Sequence, residues 1–317
     1  LSKVDLTSVF VLYFVKRLKD ASGMNENGII LINAYSELKA GLNQPHRLQY
    51  ELALRGVKTE IVKNYGYDSG IFGGEIVSKY RGAAFCVFLD KDKYAATLLE
   101  KAGVRLFNTA KAIRLCDDKV ETFIALSGSG LNLADTIPGA LCYDKNAPVS
   151  KKIARVAIEK LGLPLVVKES YGSLGKGVYL AETEAELLSI MEKVKLKPHL
   201  FQKFVSTSRG TDARVIVIGG KVAAAMKRVS DNDFRSNLDL GGHGEKINLP
   251  ESFRVAAETA AKTLGLDYCG VDVLFGENDK PVICEVNSNA FFGGIEKVTG
   301  VNVAGLYAEH IIKETVL

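Results

Sequence analysis

Two carboxylates and one amide near the C-terminal end of the chain have the types and spacing of a metal site. Asp272 lies in one apolar run, and Glu285 and Asn287 lie two residues apart in the next. Alternate residues of a strand project to the same face, and a turn over 277–280 would place Asp272 opposite Glu285. Two carboxylates held among apolar residues repel each other unless a cation joins them. Because oxygen donors suit Mg²⁺, the pattern predicts a Mg²⁺ site serving nucleotide phosphates, with solvated charges on an edge hairpin as the alternative.

A glycine-rich loop over 168–177 has the composition of a phosphate-binding flap. It joins two predicted strands, whereas a Walker loop and a Rossmann turn both lead into a helix. Backbone N–H groups and the Ser173 hydroxyl could still donate to phosphates, and Lys168 could add a positive charge. A plain glycine hairpin is the alternative interpretation.

A polar segment between these two regions could serve a reaction centre. Arg228 ends a predicted strand, and Arg235, Ser236 and Asn237 follow in a loop that leads to a glycine pair. Such groups can neutralise a transferring phosphoryl group and hold a carboxylate. An ordinary polar loop is the alternative.

The elements that must position these residues begin with alternating strands and helices. Strands are predicted over 29–33, 57–62, 83–89 and 104–107, with helices over 45–55 and 93–101. This alternation predicts an open α/β sheet. A single longer helix is predicted next, over 110–126, and another over 149–161.

The pattern then changes to antiparallel hairpins. Strands are predicted over 165–169, 178–181, 199–205, 214–218, 221–229, 271–275 and 282–286, and helices over 184–194, 251–264 and 303–313. The Gly219–Gly220 pair predicts a two-residue hairpin turn. The fold class is therefore α/β followed by α+β.

Length and composition limit the classes of protein that the chain can belong to. Its 317 residues suggest about two domains, and 47% hydrophobic with 25% charged residues excludes disorder as the main state. A net charge of +4, from 41 basic and 37 acidic residues, gives no bulk electrostatic reason to bind nucleic acid. The five cysteines include no CxxC pair, which predicts buried thiols in a reducing compartment and a cytoplasmic protein.

The first residues differ from the rest. An apolar run over 9–15 is followed by basic residues and is too short to cross a bilayer, so no membrane partner is expected. Met24 precedes the first strand of the α/β pattern, which predicts that 1–23 are an appended leader or tag. A native N-terminal strand or helix is the alternative.

Taken in order, the chain resembles the ATP-grasp superfamily and, within it, the RimK-like amino-acid ligases. The resemblance begins near residue 28 and is carried by the stretches 116–119 (CDDK), 166–177, 202–205 (QKFV), 212–214 (DAR), 234–242, 270–272 (GVD), 285–287 (EVN) and 294–300. It implies an ATP-grasp fold with three domains: an α/β domain over 24–107, a central subdomain over 108–200 and a C-terminal subdomain over 201–317.

The resemblance also implies a role for each matching residue. ATP would be bound by Lys119, Lys168, Gly172, Ser173, Gly175, Lys203, Phe204, Val205 and Asp212. Mg²⁺, or Mn²⁺ in its place, would be held by Asp272, Glu285 and Asn287. The reaction centre would be lined by Arg228, Arg235, Ser236 and Asn237.

The activity implied by this family is ATP-dependent ligation of a carboxylate to an amine through an acyl-phosphate. An amino acid would be added to a peptide, protein or small-molecule acceptor, and a homo-oligomer is compatible with the family. This chemistry needs positioning and charge neutralisation rather than a protein nucleophile. Two alternatives remain open: an enzyme of the same fold that makes ester or amide crosslinks on a precursor peptide, and a nucleotide-binding regulator without turnover.

Three positions depart from the family pattern. Lys203 replaces an acidic residue, Glu169 replaces a common proline, and 289–292 (NAFF) replaces an Ala-Ser-Pro-Gly type of continuation. The last segment borders the substrate side in the family. It therefore leaves the donated amino acid and its acceptor open.

Overall fold

A computed structural model describes residues 27–36 and 43–315. The elements up to residue 126 are β1 (Gly28–Asn33), α1 (Asn43–Leu54), β2 (Thr59–Asn64), β3 (Ser69–Phe72), β4 (Glu75–Ser78), β5 (Cys86–Leu89), α2 (Lys93–Lys101), β6 (Leu106–Phe107), α3 (Ala110–Asp117) and α4 (Lys119–Leu126). The predicted leader or tag over 1–23 lies outside the described residues.

The remaining elements contain the second, antiparallel pattern. They are β7 (Thr136–Pro138), α5 (Lys151–Leu161), β8 (Leu165–Glu169), β9 (Val178–Ala181), α6 (Glu184–Val194), β10 (His199–Lys203), β11 (Thr211–Ile218), β12 (Lys221–Val229), β13 (His243–Lys246), α7 (Glu251–Leu264), β14 (Tyr268–Phe275), β15 (Pro281–Asn287), α8 (Gly293–Thr299) and α9 (Val303–Thr315). None of the helices in the described part of the chain is long and apolar enough to cross a membrane.

Two compact units make up the chain. Of the described residues, those up to 114 and those from 302 to 315 form the first unit, and 115–301 form the second. The sequence analysis placed the last helix in the C-terminal domain, whereas α9 packs against α1 in the first unit. The division into three domains stays a prediction.

The first unit is an open parallel sheet with the strand order β2-β1-β5-β6. Its apolar core includes Ile29, Leu31, Phe88 and Leu106. The helices α1 and α9 are joined through the buried Glu51, whose carboxylate accepts hydrogen bonds from Arg55 Nη1 (2.7 Å) and Asn302 Nδ2 (2.8 Å).

The second unit contains two antiparallel sheets, with the orders β7-β10-β8-β9 and β13-β12-β11-β14-β15. The predicted turn between β11 and β12 is present, because Ile218 lies opposite Lys221. Gly219 and Gly220 both have positive φ, 55° and 75°. Positive φ at both central positions is what a two-residue turn between twisted strands requires, which explains the glycine pair.

The prediction of one helix over 110–126 is wrong. The helix ends at Asp117 and a new one begins at Lys119, because Asp118 is extended (φ −97°, ψ 111°). The Asp118 carboxylate accepts hydrogen bonds from the backbone N–H groups of Val120 (2.9 Å) and Glu121 (3.3 Å), which makes Asp118 an N-cap. The break places Lys119 at the first position of α4.

Two predictions for strands also need correction. The strand predicted over 199–205 ends at Lys203. In the hairpin of β14 and β15, Pro281 faces Phe275 rather than Gly276, so the predicted register is wrong by one residue near the turn. A bulge at Cys284 compensates for this shift, and Asp272 faces Glu285 as predicted.

Candidate functional site

A cleft in the second unit brings most of the predicted site residues together. The space between its walls, including the part open to solvent, is about 820 Å³. Residues of both sheets, of the glycine loop and of the loop after β12 line it. Those predicted from the sequence are Lys119, Lys168, Gly172, Ser173, Gly175, Lys203, Phe204, Val205, Asp212, Arg228, Arg235, Ser236, Asn237, Asp272 and Glu285. Asn287 is not among the lining residues; it lies on β15 opposite Gly270.

A buried ion network forms one wall of the cleft. Arg214 chelates Asp272 through Nε and Nη2, and Arg228 holds the Asp212 carboxylate in the same way. Both are facing pairs of neighbouring strands, Arg214 with Asp272 across β11 and β14, and Asp212 with Arg228 across β11 and β12. Arg228 Nη2 also lies 2.9 Å from Asp272 Oδ2, so the four charges cancel within one connected group.

The charges of the network favour the ionised forms of Asp272 and Arg228. Burial by itself would raise the pKa of Asp272, but Arg214 and Arg228 outweigh that effect and hold the pKa below its ordinary value. Burial would likewise lower the pKa of Arg228, but Asp272 and Asp212 raise it above the ordinary value. The network is therefore a rigid set of fixed charges.

Lys168 lies in the same cleft, but no carboxylate of the described residues neutralises its charge. Its side chain is on β8, and the residue is only 7% exposed. Nζ donates to the Cys284 thiol at 3.6 Å, and no carboxylate of the described residues lies within 4 Å of it. A thiol is a weak acceptor. A nearly buried ammonium without a counter-ion is costly, so the cleft favours an anionic ligand at this point.

Lys119 makes two polar contacts at the edge of the glycine loop. Its Nζ lies 3.3 Å from Glu285 Oε1 and donates to the carbonyl of Gly172 at 3.0 Å. Its backbone N–H donates to the carbonyl of Ser170 at 3.1 Å. One residue at the start of α4 thus holds the loop and neutralises a carboxylate on β15.

Arg235 holds the other side of the glycine loop. Its guanidinium pairs with Asp233 and lowers the pKa of that carboxyl, while Nη1 donates to the carbonyl of Gly175 at 2.7 Å. Gly175 has φ +73°, and an added Cβ would lie 2.8 Å from Leu240 Cδ1. Only glycine therefore fits where the loop packs on the segment after β12.

Sequence reasoning missed Gln202, which also lines the cleft and is 3% exposed. The Thr136 hydroxyl donates to the carbonyl of Ala134 (2.7 Å), so it can only accept the hydrogen bond from Gln202 (2.8 Å). The amide nitrogen of Gln202 must therefore face Thr136, which directs Oε1 away from it. The sequence signal for Gln202 was its position directly before 203–205, the residues predicted to bind ATP.

Two further residues of the site were not predicted. Arg214 is two residues from Asp212 on β11, and this spacing alone places both on one face. Cys284 was interpreted as a buried small apolar residue, but it is half-buried and lines the cleft beside Lys168. Its exposure to the cleft follows from the bulge, which the sequence does not reveal.

Comparisons with known proteins agree with this geometry. The family model described as RimK-like ATP-grasp domain matches residues 132–311. A probable alpha-L-glutamate ligase of Shewanella loihica is 40% identical over 218 residues, covering 68% of this chain and 69% of that protein. The chain belongs to the RimK-like ATP-grasp family. The family predicted from the sequence is therefore confirmed.

Two other similarities define the extent of the match. Human N-acetylaspartylglutamate synthase A is 37% identical over 223 residues, 70% of this chain but 56% of that protein. The chain thus spans little more than half the length of that relative. The structure of the ATP-grasp ligase PsnB complexed with minimal precursor, Mg and ADP has a TM-score of 0.66 at 18% identity, covering 90% of this chain and 97% of that one. This likeness confirms the ATP-grasp fold.

Proposed function

We propose that the protein is an ATP-dependent ligase that joins a carboxylate to the amine of an amino acid. The carboxylate oxygen attacks the γ-phosphorus of ATP, which releases ADP and forms an acyl-phosphate. The amine then attacks the acyl carbon and expels phosphate, which leaves an amide. The observation that carries the proposal is the buried Lys168 ammonium, which has no carboxylate of a described residue within 4 Å, in a cleft that also contains Asp272 and Glu285.

ATP fits the polar groups of the cleft. Lys119 and Lys168 would bind phosphates, together with the N–H groups of the loop around Gly172, Ser173 and Gly175. Adenine would lie beside 203–205, where backbone groups read its edge. Next to them, Gln202 Oε1 would accept a hydrogen bond from the exocyclic amine, which guanine lacks at that position.

The replacement of an acidic hinge residue by Lys203 is compatible with adenine recognition by the backbone. The Lys203 side chain is 58% exposed and lies 3.7 Å from Asp135, toward solvent. The role that the family resemblance implies for Asp212 in ATP binding is less direct, because both of its oxygens already accept hydrogen bonds from Arg228. Asp212 would mainly hold Arg228 in place.

The oxygen donors present are compatible with Mg²⁺. Asp272 faces Glu285, and Asn287 lies two residues further along β15. A carboxylate offers about four lone-pair sites, so Asp272 retains acceptor capacity beside its two arginines. The bound ion would neutralise charge on the phosphates.

The reaction centre would be formed by Arg228, Arg235, Ser236 and Asn237. Arg228 uses Nε and Nη2 for Asp212 and Asp272, while its Nη1 makes no hydrogen bond with a described residue. Nη1 can therefore donate to a transferring phosphoryl group from a guanidinium that is already fixed. Ser236 and Asn237 would orient the carboxylate.

The relatives' names suggest which substrates to test first. One is named a probable alpha-L-glutamate ligase and another N-acetylaspartylglutamate synthase A. We infer that glutamate is the first amine to test and N-acetylaspartate the first carboxylate. The segment 289–292 departs from the family pattern, so the other amino acids belong in the same screen.

The test is ADP release with ATP and Mg²⁺ across twenty amino acids, each with a panel of carboxylates, and detection of the amide by mass spectrometry. Lys168→Met should abolish ADP release, because the buried positive charge at the phosphates is lost. Lys160→Met, an exposed lysine on α5, is the matched control and should keep wild-type activity.

Two outcomes would contradict the proposal. ATP binding without ADP release for any pair would favour the regulator. Full activity of Lys168→Met would refute the assignment of the phosphate site.

A further inference from the structure

The Lys119 ammonium occupies the position of a counter-ion to a proposed metal ligand. Its Nζ lies 3.3 Å from Glu285 Oε1, and the residue is 7% exposed. Of the two carboxylates proposed for the metal, Asp272 is neutralised by Arg214 and Arg228, so Lys119 is what neutralises Glu285. Both carboxylates proposed for the metal are therefore neutralised by cationic side chains of the protein.

The same ammonium also holds the glycine loop. Nζ donates to the carbonyl of Gly172 at 3.0 Å, and the backbone N–H of Lys119 donates to the carbonyl of Ser170 at 3.1 Å. The loop segment 170–172 is thus fixed at both ends by one residue. Because one Nζ makes both contacts, a ligand that displaces the ammonium would loosen its contact with Gly172 as well as that with Glu285.

We propose that Lys119 acts as an internal stand-in for the metal ion and couples metal binding to the state of the glycine loop. This inference rests on the proposed function of the cleft. A divalent cation at Glu285 is repelled by the ammonium a few ångströms away, so the ion alone binds weakly. Nucleotide phosphates attract the Lys119 ammonium away from Glu285. This movement frees the Glu285 carboxylate for the ion and at the same time releases the carbonyl of Gly172.

The coupling predicts that removing Lys119 strengthens metal binding, although the same change weakens nucleotide binding. A lysine that only binds phosphate would not have this effect on the ion alone. Lys119→Met keeps the length of the side chain without its charge. In a site of reduced dielectric, loss of the neighbouring charge should raise the affinity for the ion at least about tenfold.

The experiment measures Mn²⁺ binding to the full nucleotide-free chain by electron paramagnetic resonance. Wild type should bind in the millimolar range, and both Lys119→Met and Lys119→Gln should bind at least about tenfold more tightly. Lys160→Met is the control, because Lys160 is exposed on α5 and is not among the residues that line the cleft. It should change the affinity by less than about twofold, since an exposed charge is screened.

Two further measurements separate the site from a general charge effect. Glu285→Gln in the Lys119→Met background should return the affinity to the wild-type value. Trypsin cleavage after Lys176, which is exposed on the loop, should become several-fold faster in Lys119→Met because the contact with Gly172 is lost.

Unchanged or weaker Mn²⁺ binding by folded Lys119 variants would overturn the proposal, and so would tight, micromolar binding by nucleotide-free wild type. The wild-type result needs no variant, so it decides even where substitution at 119 prevents folding. These failures are distinct from failure of the proposed function, which would be the absence of ADP release from wild type.

Discussion

Asp212→Asn tests whether the buried ion network holds the second unit together. Asp212, Arg228 and Asp272 are 4–5% exposed, and the four charges of the network cancel. The substitution leaves a net positive charge among buried groups. Removing one partner of a buried pair costs roughly 3–5 kcal/mol, and because Arg228 retains Asp272, we expect about 2–3 kcal/mol.

A melting experiment measures this effect. For a unit of this size, roughly 2–4 °C per kcal/mol predicts a fall in Tm of about 5–10 °C. Asp231→Asn is the matched control, because Asp231 is exposed in the loop after β12, and its Tm should stay within about 1 °C of wild type. The double variant Asp212→Asn/Arg228→Met removes both members of the pair and should be more stable than Asp212→Asn alone.

If Asp212→Asn has the same Tm as the control variant, the ion network contributes no stability to the second unit. If the double variant is less stable than Asp212→Asn, the destabilisation does not come from an uncompensated buried charge.

Three shorter predictions concern other parts of the molecule. Burial by itself would raise the pKa of Glu51, but hydrogen bonds from Asn302 and Arg55 outweigh this effect and lower the pKa. The stabilisation is therefore present above the unfolded pKa of about 4.3 and is lost as the pH falls through the lower folded pKa. The Tm difference between wild type and Glu51→Gln should accordingly shrink as the pH is lowered below about 4.3, and a difference that does not change with pH would contradict this. Gly175→Ala should raise the KM for ATP without unfolding the protein, because its Cβ collides with Leu240; an unchanged KM would show that the loop does not need this contact. Thr136→Val should reduce the preference for ATP over GTP about fivefold, since it frees the Gln202 amide to turn; equal preference in wild type and variant would contradict the orientation of this amide.

The bounds of a helix or strand could be predicted where its periodicity and its start and end signals lie within or next to its own sequence. The predicted bounds of the helix over 251–264 and of the strand over 221–229 agree with α7 and β12. Each has regular periodicity and a clear end, a glycine after α7 and a glycine pair before β12. The break at Asp118 had a local signal as well, because Asp118 followed by Glu121 is a helix-start pattern, but the apolar periodicity continues across it.

Features that depend on pairing between distant strands were harder to predict. The prediction that Asp272 lies opposite Glu285 used a register at the turn that is wrong by one residue. The prediction is nevertheless correct, because the bulge at Cys284 shifts the register back by one residue. A bulge depends on how both strands pack, and residue types alone do not specify it. The ion pair of Arg214 with Asp272 depends on the register between β11 and β14, which are separated in the chain by β12, β13 and α7.

The departures from the family pattern receive different physical explanations. Glu169 lies at the end of β8, and both of its carboxylate oxygens accept hydrogen bonds from Lys197 Nζ at 2.9 Å. An ion pair therefore stands at the base of the loop where the family commonly has a rigid proline. In the segment 289–292, the carbonyl of Ala290 accepts a hydrogen bond from Tyr268 at 2.7 Å, which fixes the backbone while Phe291 stays 54% exposed. The first departure is explained by this ion pair, and the second leaves a large apolar side chain on the surface.

The near-neutral composition conceals how the charges are distributed. The buried cations among the described residues are Lys119, Lys168, Lys195 and Arg228. Lys119, Lys195 and Arg228 each have a carboxylate within 4 Å, whereas Lys168 has none among the described residues. Because a protein that buries a charge normally supplies its partner, we expect a ligand to supply the counter-ion of Lys168. In the part of the chain that the structure describes, the signal for a ligand site is therefore one buried cation without a nearby carboxylate, rather than the number of lysines and arginines around the cleft.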